Sequence, residues 1–454
     1  MKTILHKMIL PESLPKMPPQ LLNTETTKAF LTWLLLIFVT GSSFTQTRSV
    51  LLMNGTAHLG NGEVINNSVI GFKDGKLMLV GNALVVRVDM TKFDTVINIE
   101  GKHVYPGFIG CNSTLGLTEI ESTRSTLDFN ETGNYNPNTR AQIAYNTDSK
   151  IIPTVRANGV MLVQVTPRGG ILSGTSSVMA TSGWNWEDAT VKADDGLHLN
   201  WPAFAPRRRR TTEATTEAPA ENEYQKQYEA IKKYITEAKA YAQQKQYENV
   251  DVRFESMRGI FNGKQTLYIH ANLVKEITDA VLLCRELGIE KKCIVGGYES
   301  YLVAGLMKEN NVSVMLRRVH DLPMREDEDV DLPYKLPYLL HKEGILFCIQ
   351  NEGDQEAANL RNLPFQAATS AAYGLTKEQA LQAITLNAAK ILGLDKNYGS
   401  LEGEKSATLF VSEGDALDMR TNNVIMAWIN GKKVSLNTHQ KDLYKKYTDK
   451  YGKK

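Results

Sequence analysis

The chain has 454 residues, of which 42% are hydrophobic, and it carries 52 basic against 50 acidic residues, giving a net charge of +2. A chain of this length can bury a large core, and one α/β barrel alone needs ~250 residues, so we expect two structural units. The near balance of charge argues against a nucleic-acid partner, because nucleic-acid binding needs a strongly basic face.

The first 45 residues have the pattern of an export signal. Lys28 precedes an apolar run over residues 29–40, which is too short to span a bilayer comfortably but is typical of a signal peptide. Small and polar residues follow at 41–46. We predict cleavage near Thr45 and a mature protein that is exported, to the periplasm or the medium, with no stable membrane span; an uncleaved anchor is the alternative.

Both ends of the mature chain contain hairpin signals. Residues 51–81 alternate apolar and turn residues, and residues 424–434 form a further strand pair. Asn-Gly and Asp-Gly pairs favour tight two-residue turns. We therefore predict that residues 47–103 and 405–436 combine in one small β-sandwich. The turn signals are Asn61-Gly62, Asp74-Gly75 and Asn430-Gly431.

Between these ends, apolar strands alternate with helices, which predicts a parallel sheet with right-handed crossovers. We assign the chain to the α/β class, with a (β/α)₈ TIM-like barrel over residues 104–404. The predicted strands are 157–167, 265–271, 293–296, 312–316 and 345–349, and the clearest helices are 273–287 and 299–309.

An insertion at about 206–248 interrupts this alternation of strands and helices. It begins with Arg207–Arg210 and a polar low-complexity run, which we interpret as a surface loop with a solvated arginine cluster rather than a phosphate contact. Apolar residues then recur at helical spacing, which predicts an amphipathic helix packed on the barrel. These residues are Tyr224, Tyr228, Ile231, Ile235, Ala238 and Ala242.

For the remaining glycine-rich, histidine and cysteine positions we predict structural roles. The glycine-rich segment Arg168–Gly174 could cradle an anion, but it lacks the spacing of a phosphate loop, so we favour a tight turn. His198 lies among aromatic residues, where a core-edge role is expected. The four cysteines lack metal-ligand spacing, and we expect unpaired core thiols rather than disulfides. They are Cys111, Cys284, Cys293 and Cys348.

The segment Val104–Gly116 resembles the first metal-binding strand of the amidohydrolase superfamily, which reads roughly Pro-Gly-Phe-Ile-Asp-x-His-x-His. Gly110, Asn112 and Thr114 stand where the family has the aspartate and both histidines. Residues 373–411 resemble the family's closing helix and its return into the sheet. The resemblance extends from about residue 50 to residue 436 and points to the imidazolonepropionase-like branch.

The resemblance implies a site at the carboxyl ends of the barrel strands. His270 matches the strand-five metal histidine by position, whereas only glycine stands where the strand-six histidine would fall. Asp354 or Glu352 could take the place of the strand-eight aspartate. We assign Asp354 as metal ligand and catalytic residue, His270 as metal ligand, and Asn112, Thr114 and Glu352 as substrate-binding residues.

Three functions remain open at this stage. The resemblance implies a hydrolase of carbon–nitrogen bonds other than peptide bonds, with an altered site that holds one divalent metal such as zinc, or none. The second is a catalytically inactive barrel, a pseudoenzyme, that binds a small molecule or a protein partner. The third is a scaffold protein that uses the 206–248 insertion. A hydrolytic zinc site needs about three protein ligands, and the sequence offers two, so whether the chain is an enzyme stays undecided, as does homo-oligomer formation.

Overall fold

The computed structural model describes residues 48–204, 220–244 and 249–452. The predicted signal peptide and the Arg207–Arg210 cluster lie outside these ranges. Among the helices within them, none is long and apolar enough to cross a membrane.

Sixteen strands occur in the described ranges, and they form two eight-stranded sheets. The strands are β1 Val50–His58, β2 Val64–Lys73, β3 Lys76–Asn82, β4 Thr95–Asn98, β5 His103–Pro106, β6 Phe108–Ser113, β7 Val160–Val165, β8 Leu172–Ala180, β9 Thr190–Asn200, β10 Thr266–Ala271, β11 Lys292–Gly296, β12 Ser313–Leu316, β13 Phe347–Ile349, β14 Leu409–Ser412, β15 Val424–Ile429 and β16 Lys432–Lys433.

Most of the helices cover the second sheet. In chain order they are α1 Ala141–Ala144, α2 Ile151–Arg156, α3 Trp186–Ala189, α4 Ala220–Gln243, α5 Val252–Ser256, α6 Arg258–Phe261, α7 Val274–Glu286, α8 Ala304–Glu309, α9 Leu332–Lys342, α10 Glu356–Asn359, α11 Leu363–Ala372, α12 Lys377–Ala383, α13 Leu386–Ile391 and α14 His439–Tyr451. Short 3₁₀ turns occur at Met90–Lys92, Arg124–Thr126, Ser300–Val303 and Leu360–Asn362.

The first sheet joins strands from both ends of the chain, as the hairpin patterns predicted. Its order is β16-β15-β14-β5-β1-β2-β3, and β4 pairs with the first half of β1. The turns at Asp74-Gly75 and Asn430-Gly431 have positive φ at both residues, the geometry that these residue pairs favour. Gly431 lies directly against Gly75, so one continuous sheet curls over its own core instead of forming two separate stacked sheets.

The second sheet runs in chain order from β6 to β13. Neighbouring strands are parallel except β8, which is antiparallel to both β7 and β9. The prediction of a (β/α)₈ barrel is therefore wrong at this strand. The chain reverses through residues 166–171, where Gly169 and Gly170 adopt φ values of 84° and 64°, so a loop replaces the expected crossover helix.

The barrel is nearly closed, with a seam between β6 and β13, which share no backbone ladder. A side-chain hydrogen bond crosses the seam: Nδ2 of Asn112 donates to Oε1 of Gln350 at 3.2 Å. The carboxyl ends of the parallel strands therefore surround one mouth, the place where barrel proteins build their sites.

All four cysteines are buried and unpaired, as predicted. Burial raises the pKa of the Cys284 and Cys293 thiols to about 12, so both remain neutral at physiological pH.

Helix α4 confirms the amphipathic helix predicted within the insertion. Tyr224, Ile231 and Ile235 are buried in the barrel core. The Tyr224 hydroxyl also accepts a hydrogen bond from Trp201 Nε1 at 3.1 Å and donates to Asp279 at 2.7 Å. The helix is thereby fixed to both β9 and α7.

Candidate functional site at the barrel mouth

A pocket of about 200 Å³ opens at the carboxyl ends of β6, β7, β10 and β13. It brings together four of the five residues predicted from the sequence: Asn112, Thr114, His270 and Glu352. Asp354 is exposed and does not line the pocket. The other lining residues are Phe129, Arg168, Gly353 and Glu356.

Asn112 lies on a bulge of β6 with a φ of 51°, a conformation that asparagine tolerates better than most residues. All four of its polar groups have protein partners. Its N–H donates to Gln164 at 3.0 Å and its Nδ2 donates to Gln350. Its Oδ1 and carbonyl oxygen both accept hydrogen bonds from Arg168, at 2.6 and 2.7 Å. Asn112 therefore organises the pocket, and the protein uses most of its hydrogen-bonding capacity.

The polar groups of Thr114 also have a protein partner. This partner is Glu356, which was not predicted from the sequence. The Thr114 N–H and hydroxyl donate to Oε2 of Glu356 at 2.7 and 2.8 Å. Glu356 is 6% exposed, and burial raises its pKa, while Arg168 and hydrogen bonds from Ser113 and Thr114 act in the opposite direction. The site thus contains a buried carboxyl group at the start of α10, two residues beyond Asp354.

Arg168 is the second residue that the sequence analysis missed as a site residue. The loop reversal after β7 places its guanidinium over Asn112, and its Nη2 lies 3.8 Å from Oε2 of Glu356. Burial lowers its pKa, and the charges of Glu356 and Glu352 raise it. An arginine side chain has five N–H donors, and only two of these donate to Asn112. Three donors remain for a ligand.

His270, which is partly buried, and His198, which is fully buried, form a pair beside Arg168. Nε2 of His270 lies 3.0 Å from Nδ1 of His198, and the His198 ring stacks on Tyr268. Burial, together with the Arg168 charge, lowers the pKa of His270 to about 3. The same causes, with His270 added, hold the pKa of His198 well below its ordinary value, so both rings are neutral at pH 7.

The tautomer of this pair follows from the surroundings of His198. Its Nε2 is buried and has no hydrogen-bond partner in the described part of the chain. A buried N–H without a partner is rarer than a buried acceptor without one, so the favoured arrangement has Nδ1–H of His198 donating to Nε2 of His270. Nδ1 of His270 then carries that ring's proton and is the ring's hydrogen-bond donor.

A buried network behind the pocket holds Asn112 in place. The Asp195 carboxylate accepts hydrogen bonds from Tyr268, Ser176 and Gln164 at 2.8 to 2.9 Å. Gln164 in turn accepts the N–H of Asn112. Burial raises the pKa of Asp195, and the three hydrogen bonds oppose that shift. Each member fixes its neighbour, so the pocket wall is rigid.

The residues at the mouth do not fit the binuclear metal centre that the resemblance implies. Gly296 and Gly297, where the strand-six histidine would fall, have φ values of 97° and 61°, and a Cβ on Gly296 would lie 2.6 Å from Asn272 Oδ1. A Cβ on Gly110 would lie 2.9 Å from Leu360.

The potential metal ligands near the mouth also argue against a binuclear centre. Within the described ranges, no group of three His, Cys, Asp or Glu residues could hold a metal ion. The Arg168 guanidinium, 3.8 Å from Glu356, already pairs with one of the two carboxyl groups of the pocket.

Comparisons with known proteins support the resemblance seen in the sequence. Residues 339–434 match the model of the amidohydrolase family. An amidohydrolase from Thermotoga maritima is 25% identical with a TM-score of 0.73, over 85% of this chain and 99% of that chain. No curated protein matches the sequence.

More distant structures share the fold alone. A molinate hydrolase is 13% identical with a TM-score of 0.52, over 87% of this chain and 96% of that chain. An adenosine deaminase from Xanthomonas campestris with bound zinc is 14% identical with a TM-score of 0.50, over 88% of this chain and 98% of that chain. The fold and the C-terminal segment thus confirm the predicted resemblance to the amidohydrolase superfamily.

Proposed function

We propose that this protein is exported and binds a small polar organic molecule at the barrel mouth, without a binuclear metal centre. The observation that carries the proposal is the double hydrogen bond from Arg168 to Asn112. That contact places a guanidinium at the strand end where the family has its first two metal histidines. This arrangement supports a site in which a fixed positive charge on the protein substitutes for a bound cation.

The remaining polar groups define what the pocket can recognise. Asn112 and Thr114 are occupied by protein partners, which leaves Arg168, His270 and Glu352 to meet a ligand. Arg168 and His270 present donors, and Glu352 presents a carboxylate. At about 200 Å³ the pocket is smaller than the roughly 300–1,000 Å³ typical of drug-sized ligands, so it fits a molecule with few heavy atoms.

The second candidate is hydrolysis of a carbon–nitrogen bond other than a peptide bond, and the buried carboxyl of Glu356 favours it. Burial raises the pKa of this carboxyl group, which is the direction in which enzymes shift a carboxyl group that acts as a general acid or base. In this reading Arg168 binds the substrate and Glu356 moves the proton. A substrate of the imidazolonepropionase-like kind belongs to this candidate.

A panel of amino acids, N-acyl amino acids, cyclic amides and ureas tests both candidates on the mature protein. We expect saturable thermal stabilisation by at least one class, unchanged by a chelator and lost in Arg168→Gln. The matched control is Arg420→Gln, which changes an exposed arginine paired with Asp418. Absence of stabilisation by every compound would contradict the binding proposal. Chelator-sensitive turnover of an amide would instead establish a metal-dependent hydrolase.

Export is tested separately by N-terminal sequencing of protein from the native host. We expect the mature chain to begin near residue 46. A sequence that retained the segment around Lys28 would contradict the proposed signal peptide.

A further inference from the structure

We infer that the ligand of the barrel-mouth pocket is a small zwitterion that carries a carboxylate and an ammonium group, together with a short apolar chain. The inference rests on the proposed function and names the chemical class of its ligand. Three lining residues carry it: Arg168, Glu352 and Phe129.

Arg168 recognises the carboxylate. Its planar guanidinium matches a carboxylate through two parallel hydrogen bonds, and three of its five N–H groups are not used by Asn112. The side chain is 25% exposed, so the fork is largely shielded from water and still reachable from the pocket. Because Asn112 already fixes its orientation, little side-chain freedom is lost when a ligand binds.

Glu352 recognises the ammonium. Its Oε2 accepts a hydrogen bond from Nε2 of Gln350 at 2.6 Å, and that amide is itself held by Asn112. Among the described residues, no lysine, arginine or histidine lies within ion-pair distance of Glu352, and its Oε1 accepts no hydrogen bond. The charge of Glu352 acts on Arg168, but the two side chains form no direct ion pair, so this half-buried carboxylate on the pocket wall can still accept a ligand cation.

The two charges together exclude simpler ligands. A molecule with only a carboxylate would meet Arg168 but also the like charge of Glu352. A molecule with only an ammonium would meet the repulsion of Arg168. A zwitterion satisfies both walls at once. Phe129 supplies an apolar surface, which favours an aliphatic chain over a polar one.

The contributions of the carboxylate and of the ammonium to binding can be measured separately with four related compounds. These are L-leucine, 4-methylpentanoate, 3-methylbutylamine and L-leucinamide. They share the branched chain and differ in which charged groups are present. Isothermal titration should show L-leucine binding at least about tenfold more tightly than the other three, since each charged hydrogen bond contributes roughly that factor.

Two variants, each of which removes one negative charge, test whether Glu352 is the residue that binds the ammonium. Glu352→Gln should bring the affinity for L-leucine close to that for 4-methylpentanoate, because the ammonium loses its partner. Glu404→Gln, which alters an exposed carboxylate near Lys76, should leave the tenfold preference intact. Circular dichroism would confirm that both variants are folded.

The outcomes separate this inference from the proposed function. Equal binding of L-leucine and 4-methylpentanoate, or an unchanged preference in Glu352→Gln, overturns the zwitterion inference and leaves the small-molecule site standing. Binding of a neutral amide or urea with no binding of L-leucine would likewise overturn the zwitterion inference and leave the small-molecule site standing. If neither these four compounds nor the wider panel binds, the proposed function itself fails.

Discussion

At the scale of single residues, Asn112 holds the site together. Its four polar groups connect the Asp195 network, the seam to Gln350 and the Arg168 guanidinium. A histidine at this position would have to give up several of these contacts to face a metal. Asparagine at position 112 therefore both stands where the family has a metal histidine and makes the hydrogen bonds of the network.

Replacing Asn112 tests this role. We expect Asn112→Ala to lower the free energy of unfolding by about 2–4 kcal/mol, because Gln350 and the partly buried Arg168 each lose a partner. Urea denaturation of the wild type and the variant measures the difference. The control, Asn437→Ala, removes an exposed side chain that contacts Asp442 and should cost within about 0.5 kcal/mol. Equal effects of the two substitutions would show that the network does not stabilise the fold.

The sequence predicted the framework of this site and Glu352, but not Arg168 or Glu356. His270 was found because it ends a clear apolar strand. Glu356 was missed because it lies beyond an exposed turn, where Gln355 adopts a positive φ and the chain folds back toward Thr114. Such a turn has no periodic signal. Arg168 was considered only within a glycine-rich turn, and its contact with Asn112 depends on a 56-residue separation that no local pattern records.

At the scale of elements, β8 is the strand that the sequence did not reveal. Its residues Leu172–Ala180 are mostly small and polar, yet all nine are buried. Small side chains let the strand pack between β7 and β9, but they remove the apolar alternation by which strands are recognised. The hairpin turns and the helix α4 were predictable because their signals are local. The reversal before β8 depends instead on Gly169 and Gly170.

This reversal gives an element-scale prediction. Gly170 has a φ of 64°, and a Cβ there would lie 2.9 Å from Gly133 O and 3.0 Å from Asn134 O. We expect Gly170→Ala to lower stability and to weaken ligand binding, because the loop that positions Arg168 must shift.

Gly263 provides the control, since it has a φ of 71° with open space around its Cβ. Gly263→Ala should cost only the backbone strain, about 1–2 kcal/mol, and leave binding unchanged. Parallel chemical denaturation and ligand titration compare the two variants. If Gly170→Ala behaves like Gly263→Ala in both measurements, the loop does not position Arg168.

At the scale of the whole molecule, the His198–His270 pair makes stability depend on pH. The folded pKa values of His198 and His270 lie below the ordinary value of 6.5, so the unfolded chain takes up protons first as the pH falls. Their contribution is fully present above about pH 6.5 and is lost progressively as the pH falls below it. Asp195 and Glu356 act in the opposite direction, because their pKa values are raised by burial.

A comparison of variants isolates the histidine contribution. Between pH 7 and 5.5 each buried histidine should cost about 1 kcal/mol of unfolding free energy. We expect His198→Phe, which keeps the stacking on Tyr268, to lose about 1 kcal/mol less than the wild type over that interval. Both proteins should behave alike between pH 7 and 8. Identical losses below pH 6.5 would mean that His198 does not titrate in the unfolding transition.

The central claim is that Arg168 and Asn112 occupy the place of the family's metal ligands. Elemental analysis of the purified mature protein, equilibrated with excess zinc and then dialysed, tests it most directly. We predict no stoichiometric binuclear centre, because two cations about 3.5–4 Å apart need more ligands than His270 and the nearby carboxyl groups provide. Two equivalents of retained zinc per chain, with amide turnover abolished by a chelator, would contradict the account.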